Sequence, residues 1–278
     1  MKLNYRLGRL FTAGLLLSSL ALHAQETPNP APAPAEGAPP AAAPAPPAAK
    51  KEPKPFEPTI TSSKPGAAKV RLFILSGQSN MQGLNPAKSF TPTVVAAFPE
   101  DDVVVVKDAQ SGQPIRRWLK DWKPAEGVET GKQVKGEGDL YVRLTKSIAT
   151  ALEGKPEPAS VVFVWMQGES DASAKWSSDN YDKSLQDLIA LVRTDLKAPK
   201  MPAVIGHLSD FSDPVKLPEW ATVKAKQEAV VKADPLTALV ETDDLNGEKN
   251  GLHYDGPGYT ELGKRFAEAA LKLLNEQK

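Results

Sequence analysis

The chain has 278 residues, 34 Lys plus Arg against 34 Asp plus Glu, and no cysteine. Balanced charge argues against a nucleic-acid binder, which needs a basic face. The missing cysteines exclude disulfides, thiolate metal sites and a cysteine nucleophile, and the length suffices for one sizeable core.

In chain order the first segment is residues 1–24. Lys2, Arg6 and Arg9 precede the apolar run LFTAGLLLSSLAL, and small residues follow up to Ala24. This is the order of a secretory signal peptide, and the run is shorter than the roughly 20 residues of a membrane-spanning helix. We therefore expect cleavage after Ala24, no stable membrane insertion afterwards, and a bacterial periplasmic or secreted destination. Residues 25–68 are rich in proline and alanine. Such a segment cannot bury enough apolar surface to offset its ordering entropy, so it reads as a disordered, extended linker. It is either a stalk or a dispensable tail.

From Lys69 onward strands alternate with helices. KVRLFIL (69–75), DVVVVKD (102–108), SVVFVWM (160–166), PAVIGHL (202–208) and TALVE (237–241) are short apolar or β-branched runs. LYVRLTKSIATAL (140–152), NYDKSLQDLIALVRTDL (180–196), EWATVKAKQEAVVKA (219–233) and GYTELGKRFAEAALKLLNE (258–276) have helical spacing. Continuous apolar strands separated by helices predict a parallel sheet covered on both faces. The expectation is one three-layer α/β/α sandwich over residues 69–278 with five parallel strands.

Ligands of such sheets bind beyond the carboxyl ends of the strands. Three polar stretches lie there: SGQSNMQG after the first strand, QGESDA after the third, and NGLHYDGPGY before the last helix. Ser79 sits at a strand-to-helix turn, either as a nucleophile whose own N–H also faces an oxyanion, or as an ordinary helix cap. A serine nucleophile needs a base, usually histidine. His207 lies within a strand and reads as a packed residue, whereas His253 lies in a glycine-bracketed loop facing the same crevice. Candidate oxyanion donors are the Ser79 amide, the amides of Gly136 and Gly138, and the Gln167 side chain. Gln78 and Asn80 flank the serine and are candidate substrate contacts. Arg116, Arg117 and Trp118 follow the second strand and suit an acidic glycan, because arginine reads carboxylates and indole stacks on sugar rings. They read equally well as a surface loop.

Together these stretches resemble the SGNH hydrolases, and within them the carbohydrate esterases related to sialate O-acetylesterase and acetylxylan esterase. GQSNM resembles the nucleophile block, WMQGESD the third block, NGLHYDGPGY the histidine block and, more weakly, GEGDLYVR the glycine block. The resemblance implies a flavodoxin-like sandwich in which Ser79 is nucleophile and His253 general base. It also implies an oxyanion hole from Ser79, Gly136 or Gly138, and Gln167, and removal of acetyl groups from acetylated carbohydrate with no metal or cofactor. One position departs from the pattern: Asn250 stands where the family commonly has aspartate, three residues before the histidine. Another carboxylate would then orient His253, with Glu169 the first candidate and Asp244 and Asp255 the alternatives. The competing expectation is a non-catalytic glycan-binding protein on the same scaffold.

Overall fold

The computed structural model describes residues 57–128, 130 and 134–277. The expected signal peptide and most of the expected linker lie outside these residues. The described chain falls within one unit, Pro53–Lys278. Its strands are β1 (Thr59–Ser62), β2 (Val70–Gly77), β3 (Asp102–Ala109), β4 (Ser160–Met166), β5 (Ala203–Gly206) and β6 (Thr237–Val240). The helices are α1 (Ser79–Gly83), α2 (Phe90–Ala97), α3 (Asp139–Leu152), α4 (Lys175–Ser178), α5 (Tyr181–Asp195), α6 (Trp220–Ala233) and α7 (Gly256–Asn275). Single 3-10 turns cover Pro86–Lys88, Ile115–Trp118 and Asp171–Ser173.

The strands form one sheet in the order β1-β3-β2-β4-β5-β6. The five strands β2 to β6 are parallel, in the flavodoxin-like arrangement. The five expected parallel strands are present, and a sixth, β1, pairs antiparallel with β3, Thr59 opposite Lys107 and Ser62 opposite Val104. β1 falls within the expected linker, residues 25–68, and is part of the sheet. Polar bonds hold this strand: Ser62 Oγ donates to Asp102 Oδ1 at 2.7 Å, and the Lys64 N–H reaches the same oxygen at 3.1 Å.

Side chains alternate across each strand, and the core divides accordingly. Leu72, Ile74, Val104, Val106, Phe163, Trp165 and Ile205 pack beneath α3, α5 and α6. Phe73, Leu75, Val103, Val105, Val162, Val164 and Val204 pack against α1, α2 and α7. Because both faces are covered, β2 and β3 carry the continuous apolar runs LFIL and VVVV rather than alternating patterns. Strand order reverses between β2 and β4, so their carboxyl ends, Gly77 and Met166, flank the crevice where this topology places ligands.

Candidate active site

At Gly77 the chain takes φ +143°, and a Cβ there would lie 2.0 Å from the Met166 carbonyl oxygen. Only glycine lets β2 turn this tightly beside β4. The next amide, Gln78 N–H, donates to that carbonyl at 2.9 Å. Ser79 follows as the first residue of α1, half-buried, at the rim of the crevice.

Asn80 is 2% exposed. Its Nδ2 donates to Glu169 Oε1 at 2.8 Å and to the Leu252 carbonyl at 3.1 Å. Its Oδ1 accepts from the Tyr254 N–H at 3.4 Å and the Tyr259 hydroxyl at 3.1 Å. Leu252 and Tyr254 are the neighbours of His253, so the Ser79 turn and the His253 loop meet. The His253 ring is exposed. Among the described residues neither that ring nor Ser79 Oγ has a hydrogen-bond partner. Asn80 is therefore a buried link between elements, which corrects the expectation of a substrate contact. Gln78 is corrected for the same reason. It is 3% exposed, and its Oε1 accepts from Gln167 Nε2 at 3.1 Å and the Ser170 N–H at 3.2 Å.

Glu169 lies in the crevice loop, bonded to Asn80 and not to the His253 ring. Burial pushes its carboxyl up to about 7, and Oε2 has no partner. Asp171, unnoticed in the sequence, is fully buried two residues on, and burial pushes it up to about 6. It accepts from the Ile115 N–H at 2.9 Å, from Gln167 Nε2 at 2.6 Å and from Ser177 Oγ. Gln167 Nε2 also reaches the Gln113 carbonyl at 3.0 Å. Its two N–H bonds therefore point into the protein, and an oxyanion would have to displace one of these acceptors.

Asn250 adopts φ +43°, and its Oδ1 accepts from Asn246 Nδ2 at 2.7 Å. The alternative carboxylates are engaged elsewhere. Asp244 forks onto Arg265 at 2.7 and 2.6 Å, and Asp255 caps α7 through the Gly258 N–H at 2.7 Å. His207 is buried with Nδ1 3.0 Å from Glu241 Oε2, the packed role expected of it.

Gly136 donates its N–H to the Trp122 carbonyl at 3.0 Å, which corrects its place among the oxyanion donors, and Gly138 turns the chain into α3 against Lys120. The loop that borders Ser79 is 110–113: the Gln110 N–H donates to the Gly77 carbonyl at 2.9 Å, and the Ser111 N–H to Gln82 Oε1 at 2.8 Å. Gly112, at φ +69°, offers an N–H with no acceptor among the described residues. Strand register would have found it, since Ala109 pairs with Gly77 and the loop leaves the sheet beside Ser79.

Trp118 is corrected as a sugar contact. Trp118 is 1% exposed, bonds Ser76 Oγ at 3.2 Å and stands edge-on to Trp165 with ring centres 5.0 Å apart. Arg117 is held by Asp139 at 2.8 Å and Gln113 at 2.6 Å, and Arg116 by Glu137 and the Lys135 carbonyl. Trp118 also borders a groove of about 1220 Å³ with Trp122, Tyr141 and Val142, but neither Ser79 nor His253 lines it. Among the described residues no cluster of His, Asp and Glu is placed to hold a metal ion, and no helix is long and apolar enough to cross a membrane.

The family described as carbohydrate esterase, sialic acid-specific acetylesterase, matches residues 82–272, which include Glu169 and His253 and begin three residues beyond Ser79. A probable carbohydrate esterase of Arabidopsis thaliana is 24% identical over 191 residues, 68% of this chain; the chain spans 64% of that relative's length. The solved structure of that Arabidopsis protein superposes with a TM-score of 0.56 at 19% identity, covering 73% of this chain and 98% of the other. A carbohydrate acetylesterase from Xanthomonas citri superposes with a TM-score of 0.55 at 17% identity, covering 74% and 56%. These similarities show the shared fold.

Proposed function

The chain belongs to the sialic acid-specific acetylesterase family of carbohydrate esterases, and on that premise we propose that it removes O-acetyl groups from carbohydrate with Ser79 as nucleophile and His253 as general base. The observation that carries this reading is the attachment of both neighbours of His253 to Asn80, the residue beside Ser79. Ser79 Oγ attacks the acetyl carbonyl carbon as His253 takes its proton. The tetrahedral oxyanion faces the Ser79 and Gly112 amides, and each such donor contributes about 3–4 kcal/mol to the barrier reduction. The bond to the sugar oxygen then breaks, His253 returns the proton to that oxygen, and acetyl-serine remains. Water attacks it by the same route, and acetate leaves.

Glu169 acts on this machinery through Asn80, not by touching the imidazole. Glu169→Ala, which removes the oxygen that accepts from Asn80 Nδ2, is expected to lower turnover more than Asn250→Ala, whose side chain faces Asn246; steady-state kcat values that reverse this order would remove Glu169 from the scheme. Export of the chain, to the periplasm or beyond, is supported by the order of charge, apolar run and small residues up to Ala24.

A second reading has its own observation: no carboxylate meets the His253 ring among the described residues. In a serine protease, replacing the orienting aspartate by asparagine lowers turnover about 10⁴-fold. The second reading is therefore a weakly active or non-catalytic glycan-binding protein on this scaffold. Hydrolysis of 4-nitrophenyl acetate separates the two. The esterase predicts turnover by the wild type that Ser79→Ala abolishes, and equal inertness of both would leave the binding protein.

A further inference from the structure

We infer that Asn80 is a positioning residue whose four hydrogen bonds set the separation between Ser79 and His253. The inference rests on the reading of those two residues as nucleophile and base. A primary amide has two N–H donors and an oxygen with two lone pairs. At Asn80 all four are used, on three separate pieces of chain: Glu169 after β4, Leu252 and Tyr254 in the histidine loop, and Tyr259 in α7. The side chain is buried, so water competes little for these bonds and each is stronger than at the surface.

The main chain on both sides of His253 is thus fastened to a side chain one residue from Ser79. Because Ser79 Oγ and the His253 ring make no bond to each other, their approach is inherited from these backbone attachments. α7 is held close by a second contact: a Cβ at Gly83 would lie 2.5 Å from the Tyr259 ring, so the end of α1 and Tyr259 are packed at the limit glycine permits. The chemistry selects asparagine at this position. Aspartate has the same shape but no donors, and it would set a second charge beside Glu169. Glutamine is one carbon longer, and serine or alanine cannot serve four partners.

The test compares wild type, Asn80→Ala and Tyr259→Phe on 4-nitrophenyl acetate, with circular dichroism to verify folding at the assay temperature. Misplacement of reacting groups by about 1 Å costs on the order of 100-fold. Asn80→Ala should therefore lose about 100-fold in kcat while KM changes less than threefold, and labelling of Ser79 by a fluorophosphonate should slow in parallel. Tyr259→Phe removes one bond of the four and should lose less than tenfold in kcat, again at constant KM, with a shifted His253 ring resonance in the NMR spectrum. A folded Asn80→Ala protein with wild-type kcat, or with raised KM at unchanged kcat, would overturn the inference. If Asn80→Ala does not fold, Tyr259→Phe decides: unchanged kcat and an unmoved His253 resonance would overturn it. A wild type that neither cleaves acetyl esters nor labels at Ser79 would instead remove the functional reading, and the His253 resonance would still report whether Tyr259 and Asn80 fix the loop.

Discussion

Glu169 shows what a single carboxyl does to this site. Burial raises it from 4.5 to about 7, so the folded chain holds its proton longer than the unfolded chain does. Stability that is fully present below about pH 4.5 is therefore lost as pH rises through 7. The loss between pH 5 and pH 8 amounts to roughly 2–3 kcal/mol. Glu169→Gln keeps an oxygen for Asn80 and has no charge to bury. Urea denaturation at the two pH values should show the variant losing that much less stability than wild type, and parallel losses would refute the linkage. Proximity of Glu169 to the crevice was legible in the sequence because QGESD follows an apolar strand. Its partner was not, because Asn80 is 89 residues away in the chain. Trp118 illustrates the converse. Its aromatic type suggested a sugar platform, but burial beneath Ser76 and beside Trp165 is a property of tertiary contacts that neighbouring residues do not encode.

Among the elements, β2, β3 and β4 were legible to within two residues, since the continuous apolar runs LFIL, VVVV and VVFVWM leave few alternatives. β1 escaped notice for a physical reason. Its four residues, TITS, have no buried face, and it adheres to β3 through ladder bonds and the Ser62–Asp102 contact. Its absence would leave the outer edge of β3 unpaired and Asp102 without Ser62 and the Lys64 N–H. A chain beginning at Lys69 should therefore melt roughly 5 °C or more below one beginning at Glu57, by calorimetry. Equal melting temperatures would show that β1 contributes nothing.

At the scale of the whole molecule, the arrangement of chemistry was legible because topology fixes it. A parallel sheet gathers loops at the carboxyl ends of its strands, and the strand-order reversal between β2 and β4 selects which loops face each other. Ser79, Glu169 and the approach of His253 follow from that rule. The loop that leaves β3 beside Gly77 did not, because the glycines of GEGD mark a turn by composition, while residues 110 and 111 reach the Ser79 turn only through tertiary bonds to Gly77 and Gln82. Every residue given a role in the reaction lies beyond Glu57. A chain beginning there should hydrolyse 4-nitrophenyl acetate with a kcat/KM within about twofold of the full chain, where the diffusional and chemical steps are unaltered. A larger loss would place part of the machinery before Glu57.

Asn80 and its partners have a consequence for folding. Its side-chain bonds join residues 89, 172, 174 and 179 positions apart in the chain. Contacts so distant carry a loop-closure cost that local turns avoid, so they form only as the sheet closes. On the proposed reading, the Ser79 turn and the His253 loop become one site at that late step.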